Sequence, residues 1–168
     1  MTARPDMQDL YLGFGSNIGD PAHLVTRAIK EVAGNAHIVF EKQSALWRTE
    51  PLYDRDQPMF VNAVVKYRSD LDPYEILDFI RLIETRFLRD RDRERPKGPR
   101  TMDIDILFYG DHLIRDEKLT IPHPRFHERK FILFPMAEID VNYIVPGTTK
   151  RIADYIQCCP DNSKVEKI

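Results

Sequence analysis

KGPRTMDIDILFY, residues 97–109, places a Gly-Pro-Arg turn directly before an apolar, β-prone run that carries two aspartates. Met102 to Tyr109 reads as a strand. Side chains alternate along a strand, so Asp103 and Asp105 share one face while Ile104 and Ile106 share the other. Two carboxylates side by side repel each other and lose hydration, so the position calls for a cation. Hard oxygen ligands at this spacing suit Mg²⁺, which takes one or two carboxylates together with substrate phosphates. The aspartate strand is therefore expected to be the functional centre.

Immediately upstream, residues 86–100 are dense in arginine: Arg86, Arg89, Arg91, Arg93, Arg95 and Arg100, with Lys97. Asp90, Asp92 and Glu94 interleave, so a solvated, self-paired loop is one account of the run. Its position supports another. Arginine forks grip phosphate oxygens two at a time, and a basic loop feeding a metal-binding strand suggests a polyphosphate substrate. Downstream, His123 lies between two prolines in a rigid extended setting, close to Arg129 and Lys130. That cluster reads as a second anion contact.

Further out, Leu10 to Ser16 is expected to be a first strand, preceded by a loose leader over residues 1–8. Asp20-Pro21 supplies an N-cap and a first-turn proline, and Val25, Ala28, Ile29 and Val32 form a helical stripe that Gly34 closes. Ile38 to Trp47 reads as one strand, and residues 49–58 as a long loop of the kind that often serves as a lid. Phe60 to Tyr67 is a third strand, with Val61, Ala63, Val65 and Tyr67 on one face and Phe60, Asn62, Val64 and Lys66 on the other. An aromatic ring and a carboxamide two residues apart can stack on a flat heterocycle and bond its edge. An edge-strand Phe beside a solvated Asn is the alternative.

Asp72-Pro73-Tyr74-Glu75 combines an N-cap, a first-position proline and a capping-box acid at the start of a second helix. GFGSNIG, residues 13–19, fits no phosphate-loop template: Ile18 stands where a dinucleotide fingerprint needs glycine, and no Gly-Lys-Ser/Thr follows. Close packing at the strand end accounts for Gly13 and Gly15. Residues 112–121 resemble a short hairpin, 131–139 are apolar, and 152–158 suggest a closing helix. The order β-α-β-β-α-β, with the last strand carrying the aspartates, is a ferredoxin-like pattern with a C-terminal extension. The expected fold is α+β, with an antiparallel sheet, helices packed on one face and the other face free for a site.

The chain has 168 residues, 42% hydrophobic and 31% charged, which fits one globular domain and excludes wholesale disorder. A net charge of −2 argues against a nucleic-acid-coating protein, so any basic site is local. The adjacent pair Cys158-Cys159 has neither disulfide nor metal-ligand spacing and reads as two reduced thiols. No signal-peptide pattern and no apolar run of about 20 residues is present, so a cytoplasmic protein that does not span a membrane is expected.

GPRTMDIDIL (98–107), WRTEPLYDRDQPMFVNA (47–63) and LTIPHPRFHERKF (119–131), in that order, resemble the 6-hydroxymethyl-7,8-dihydropterin pyrophosphokinase family. The resemblance runs over nearly all of residues 10 to 158. It implies a single pyrophosphokinase domain over 1–168, of ferredoxin-like α+β fold, acting in folate biosynthesis. The implied reaction transfers the pyrophosphoryl group of ATP, the co-substrate, to the pterin hydroxymethyl group, giving AMP. The resemblance assigns two Mg²⁺ ions to Asp103 and Asp105. It assigns the pterin to Phe60, Phe131, Asn62, Thr49 and the backbone near Leu52. Nucleotide and phosphates fall to Arg100, His123, Arg129, Leu77, Glu84 and Ile106, with Arg89 and Arg91 as loop arginines that close over the phosphates. The partners implied are small molecules, with no nucleic acid or membrane, and a monomer or weak dimer. Lys97 stands where the family often has tryptophan, and Leu88 where a glycine often precedes the loop arginines.

Two other classes share parts of this pattern. A palm-like nucleotidyltransferase would also carry strand aspartates, but would release free pyrophosphate. A non-enzymatic RNA-binding domain of ferredoxin-like fold would need aromatics with basic neighbours on the sheet face, where two aspartates stand.

Overall fold

The computed structural model describes residues 6–168. In chain order the elements are β1 (Gln8–Ser16), α1 (Pro21–Ala33), β2 (Ile38–Gln43), β3 (Trp47–Thr49), β4 (Phe60–Ser69), α2 (Pro73–Arg86) and β5 (Asp103–Tyr109). They are followed by β6 (Ile114–Arg115), β7 (Thr120–Ile121), α3 (Lys130–Asp140), α4 (Ile152–Gln157) and β8 (Val165–Lys167). The main sheet runs β5-β1-β4-β3-β8 with β2 also on β4, and every pairing in it is antiparallel. β6 and β7 form the expected hairpin. Among the described residues the fold is thus mixed α/β, with an antiparallel sheet and four α-helices.

Local chemistry explains the helix starts. Asp20 caps α1 by accepting the His23 N–H at 3.1 Å, with Pro21 in the first turn. Asp72 and Glu75 close a full capping box on α2, the Glu75 carboxylate accepting the Asp72 N–H at 2.9 Å. The first strand begins at Gln8, two residues earlier than expected. Of the expected leader, residues 1–5 lie outside the described residues.

Two expectations need correction. The strand expected from Ile38 to Trp47 is broken into β2 and β3, both lying along β4. Ser44 makes the break: it donates its N–H to the Val64 carbonyl at 2.9 Å, and its hydroxyl accepts the Val64 N–H at 3.0 Å. A side chain takes over a ladder bond there, so the chain can kink without orphaning a backbone group. Second, helices cover both faces of the sheet. α1 and α2 pack on Leu10, Leu12, Phe14, Val65 and Ile104. α3 and α4 pack Ile132, Leu133, Met136 and Ile152 on Tyr11, Val64, Leu107 and Phe108 of the opposite face. Those sheet residues form an aromatic and aliphatic strip that must be buried, and α3 supplies the matching apolar side. Where residues of the second face become small or charged, at Gly13, Gly15, Asp103 and Asp105, the helices give way to a cleft.

Candidate active site

The strand register builds the floor of the site. Across β1, Gly15 pairs with Asn62 on one side and with Asp103 on the other; Gly13 pairs with Val64 and with Asp105. The middle strand therefore has no side chain between the carboxamide and the carboxylates. A Cβ on Gly15 would stand 2.6 Å from the Asn62 Oδ1, closer than any real contact, whereas one on Gly13 would touch Leu107 at an ordinary 3.5 Å. Close packing at this strand end is thus most demanding at Gly15. The result is a cleft with an empty volume, open mouth included, of about 710 Å³.

All five residues assigned to the pterin line this cleft: Thr49, Leu52, Phe60, Asn62 and Phe131. Thr49 and Asn62 are buried polar groups, and Asn62 donates its amide N–H to the Thr49 hydroxyl at 2.7 Å. That bond fixes the carboxamide's orientation. Phe60 comes from the start of β4 and Phe131 from the first turn of α3, so rings from two different layers line the same space. Arg100 lies 5.7 Å from the Phe60 ring centre and Arg129 5.5 Å from that of Phe131.

Asp103, Asp105, Arg100 and Arg129 line the other part of the cleft. The two carboxylates have opposite environments. Asp103 accepts from Arg89 at 2.5 Å and from Arg100 at 2.7 Å. Burial alone would raise its pKa, but the two guanidinium groups hold it below the ordinary carboxylate range. Asp105 has no such partner; the nearest cationic candidate is His123, with Nε2 at 3.9 Å. Burial, and next the charge on Asp103, push the Asp105 carboxyl well above the ordinary range. The His123 imidazole is itself pushed down to about 4, by burial and then by the nearby Arg129. Its Nδ1 accepts the Arg125 N–H at 3.1 Å, which leaves the proton of the neutral ring on Nε2, towards Asp105.

The arginine run is folded onto Glu84 of α2, a fully buried carboxylate. Glu84 accepts from Arg89 at 2.7 Å, from Arg91 at 2.6 Å and from the Ile104 N–H of β5 at 2.8 Å. Arg89 thus bridges Glu84 and Asp103. Arg95 reaches across to Asp54 of the loop before β4, while Arg93 pairs locally with Asp90 at the surface. Leu77 of α2 and Ile106 of β5 pack in the core between helix and sheet, and neither they nor Glu84 and His123 line the cleft. The sheet path ends at β5. Among the described residues no cluster of three or more His, Cys, Asp or Glu could hold a metal, so any ion here would rest on two aspartates and on ligands brought by the substrate.

Asn17 is a residue that sequence reasoning missed. It is buried, its Oδ1 accepts the Arg100 N–H at 2.9 Å, and its own N–H donates to the Arg100 carbonyl at 3.1 Å. Its amide nitrogen donates to Gln57 Oε1 and the Pro58 carbonyl, both at 3.0 Å. Gln57 in turn donates to the Lys97 carbonyl at 3.0 Å. One side chain thereby joins the end of β1, the loop before β4 and the Gly-Pro-Arg turn. Its place in GFGSNIG, a segment that fits no phosphate-loop template, was the only signal. Tyr53 adds to this junction, with Lys97 Nζ 4.1 Å and Arg125 Cζ 5.2 Å from its ring centre.

A model of the family "7,8-dihydro-6-hydroxymethylpterin-pyrophosphokinase (HPPK)" matches residues 11–141. A 2-amino-4-hydroxy-6-hydroxymethyldihydropteridine pyrophosphokinase of Methylorubrum extorquens is 41% identical over 147 residues, covering 88% of this chain and 92% of its own length. The Folic acid synthesis protein fol1 of Pneumocystis carinii is 38% identical over 94% of this chain, which spans only 21% of that longer protein. The crystal structure of Plasmodium falciparum HPPK-DHPS with pteroate superposes with a TM-score of 0.72 over 94% of this chain and 43% of that one. At 15% identity that likeness bears on the fold alone. On the family match and the relative of similar length, the chain belongs to the 7,8-dihydro-6-hydroxymethylpterin-pyrophosphokinase family.

Proposed function

We propose that the chain transfers the pyrophosphoryl group of ATP to the hydroxymethyl oxygen of 6-hydroxymethyl-7,8-dihydropterin, giving AMP and the pterin diphosphate. The observation that carries this reading is one cleft with two chemically distinct parts. A ring-lined slot with a fixed carboxamide opens onto paired aspartates flanked by arginines.

In this reading Phe60 and Phe131 stack on the pterin, and Asn62, assisted by Thr49 and the backbone near Leu52, reads its polar edge. Arg100, Arg129 and the Nε2–H of His123 bind phosphate oxygens, and the adenine side of the nucleotide lies near Leu77 and Ile106 beside β5. Arg89 and Arg91 exchange Glu84 and Asp103 for phosphate as the loop closes, which excludes water from the transfer. The hydroxymethyl oxygen attacks the β-phosphorus as the bond from that phosphorus to the α,β-bridging oxygen breaks. AMP leaves, and the hydroxyl proton goes to solvent. Positioning and charge neutralisation carry most of such a transfer.

Asp103 and Asp105 fit Mg²⁺: both are hard carboxylate donors facing the cleft, and Asp105 lacks a bonded cation. Two ions held there would neutralise phosphate charge and polarise the attacking hydroxyl. The sheet and its first two helices read as a ferredoxin-like core, and residues 1–168 as one pyrophosphokinase domain, working as a monomer or weak dimer. The test is incubation with MgATP and the hydroxymethyldihydropterin. AMP and pterin diphosphate should form in equal amounts; free pyrophosphate would point to nucleotidyl transfer, and no AMP from folded protein would overturn the proposal.

A further inference from the structure

The segment after α4 does not itself line the cleft, yet it is bonded to the residues on either side of the ring-lined slot. Asp161 is buried, 4% exposed. Its Oδ2 accepts the backbone N–H of Lys130 at 2.9 Å, and its Oδ1 accepts the Ser163 N–H at 2.8 Å. Lys130 is the first residue of α3, whose own N-cap, Arg129, makes no capping bond. Asp161 therefore satisfies a helix-start N–H that has no intrahelical partner, from 31 residues away in sequence, and a carboxylate there is favoured by the helix dipole as well. Lys130 lies between Arg129 and Phe131, both of which line the cleft.

Two residues beyond Asp161, the Lys130 ammonium donates to the Ser163 carbonyl at 3.4 Å. The next residue crosses to the opposite wall. Lys164 donates its N–H to the Glu50 carboxylate at 2.8 Å and accepts the Glu50 N–H at 3.1 Å, and β8 then pairs Val165 with Thr49. Five consecutive residues, 161–165, thus span from the start of α3, which carries Phe131, to the end of β3, which carries Thr49 and leads to Leu52. Among the described residues, no other segment bonds to both places in so short a span. The family match ends at residue 141, so this strap lies outside it.

We infer that Asp161 is a positioning residue for pterin binding: through Lys130 and Ser163 it fixes the spacing between the Phe131 wall and the Thr49–Leu52 wall of the slot. The inference rests on the function proposed above. Without the carboxylate, α3 loses the bond that seats its first turn, and the strap loses its anchor at that end. Phe131 then samples positions in which the slot no longer matches the thickness of a flat ring. Rate at saturation should survive, because a bound pterin still meets the same aspartates and arginines.

The test uses full-length Asp161→Ala and Asp161→Asn, with wild type alongside. Asn keeps the volume but replaces one acceptor with a donor, so it perturbs the bonds while preserving the packing. Steady-state rates are measured against pterin at saturating MgATP, with thermal melts on each protein. Asp161→Ala should raise the pterin KM about tenfold, comparable to losing one helix-capping bond. Asp161→Asn should raise it severalfold, and kcat should stay within about twofold for both. A pterin KM unchanged in either folded variant overturns the inference. So does a fall in kcat and melting temperature at constant KM, the signature of a purely structural residue. If Asp161→Ala does not fold, Asp161→Asn decides by the same readout. Wild type that forms no AMP would instead overturn the functional reading itself.

Discussion

Arg89 donates to Asp103 at 2.5 Å from the same Nη1 that reaches the buried Glu84 carboxylate at 2.7 Å. The arginine loop is therefore tied to α2 and to the aspartate strand by one shared guanidinium nitrogen. Glu84 is the hub, since it also accepts from Arg91 and from the Ile104 N–H. Removing one partner from a buried ionic cluster leaves the other charges and donors without compensation. Glu84→Ala should cost about 3 kcal/mol of stability. Urea unfolding would show it as a lower midpoint at an unchanged slope, and AMP formation should fall as well. A variant as stable as wild type would mean that the cluster holds nothing together.

Asp105 predicts a pH effect on stability. Its folded pKa lies above its unfolded value, so the native state binds the proton more tightly. That contribution is complete below about pH 4, the unfolded carboxylate value, and is lost as pH rises through the folded value. In metal-free buffer Asp105→Asn should be more stable than wild type at pH 8, with the difference shrinking towards pH 4. His123 runs the other way: its folded pKa is depressed to about 4, so its contribution is present above about pH 6.5 and lost as pH falls. Thermal melts across pH 4–8 on Asp105→Asn and His123→Gln separate the two.

Asp105→Ala should reduce AMP formation by at least about a thousandfold while leaving the circular dichroism spectrum unchanged, because transfer depends on neutralising phosphate charge. Chelating divalent cations from wild type should have the same effect. Near-normal turnover in either case would remove the aspartate pair from the reaction.

Gly15→Ala places a methyl group against the Asn62 carboxamide. The Asn62–Thr49 bond must then break or shift. Pterin binding should weaken by about tenfold, on the scale of one buried hydrogen bond lost, as read by fluorescence titration. Gly13→Ala, which meets Leu107 only at van der Waals distance, should be milder.

Leu88 follows α2 with φ +63°, and its N–H and that of Arg89 return to the Thr85 and Glu84 carbonyls. This is the glycine-type helix ending, occupied by a leucine whose side chain is exposed. Leu88→Gly relieves left-handed backbone strain at no loss of burial, and the greater entropy of unfolded glycine offsets part of the gain. The net effect should be a stabilisation of about 0.5 kcal/mol, visible in equilibrium unfolding.

The parts of this protein that its sequence alone determined are those set by neighbours in the chain. The N-caps and first-turn prolines placed α1 and α2, period-two alternation assigned the faces of β4 and β5, and the spacing of Asp103 and Asp105 put both carboxylates on one side. Alternation offered Phe60 and Asn62 as a pair for a flat heterocycle, the family resemblance added Thr49, Leu52 and Phe131, and the cleft does bring the five together. What only the tertiary structure decided depends on partners distant in sequence. The Ser44 break needs β4 beside it, the packing of α3 on the second face needs the strip of Tyr11 and Phe108, and Asn17 meets Arg100 from 83 residues away. The aspartate strand shows the division most clearly. Alternation made Asp103 and Asp105 equivalent; the fold gave one of them two arginines and left the other without a bonded cation, because the loop bearing Arg89 closes on Glu84 beside Asp103 and stops short of Asp105.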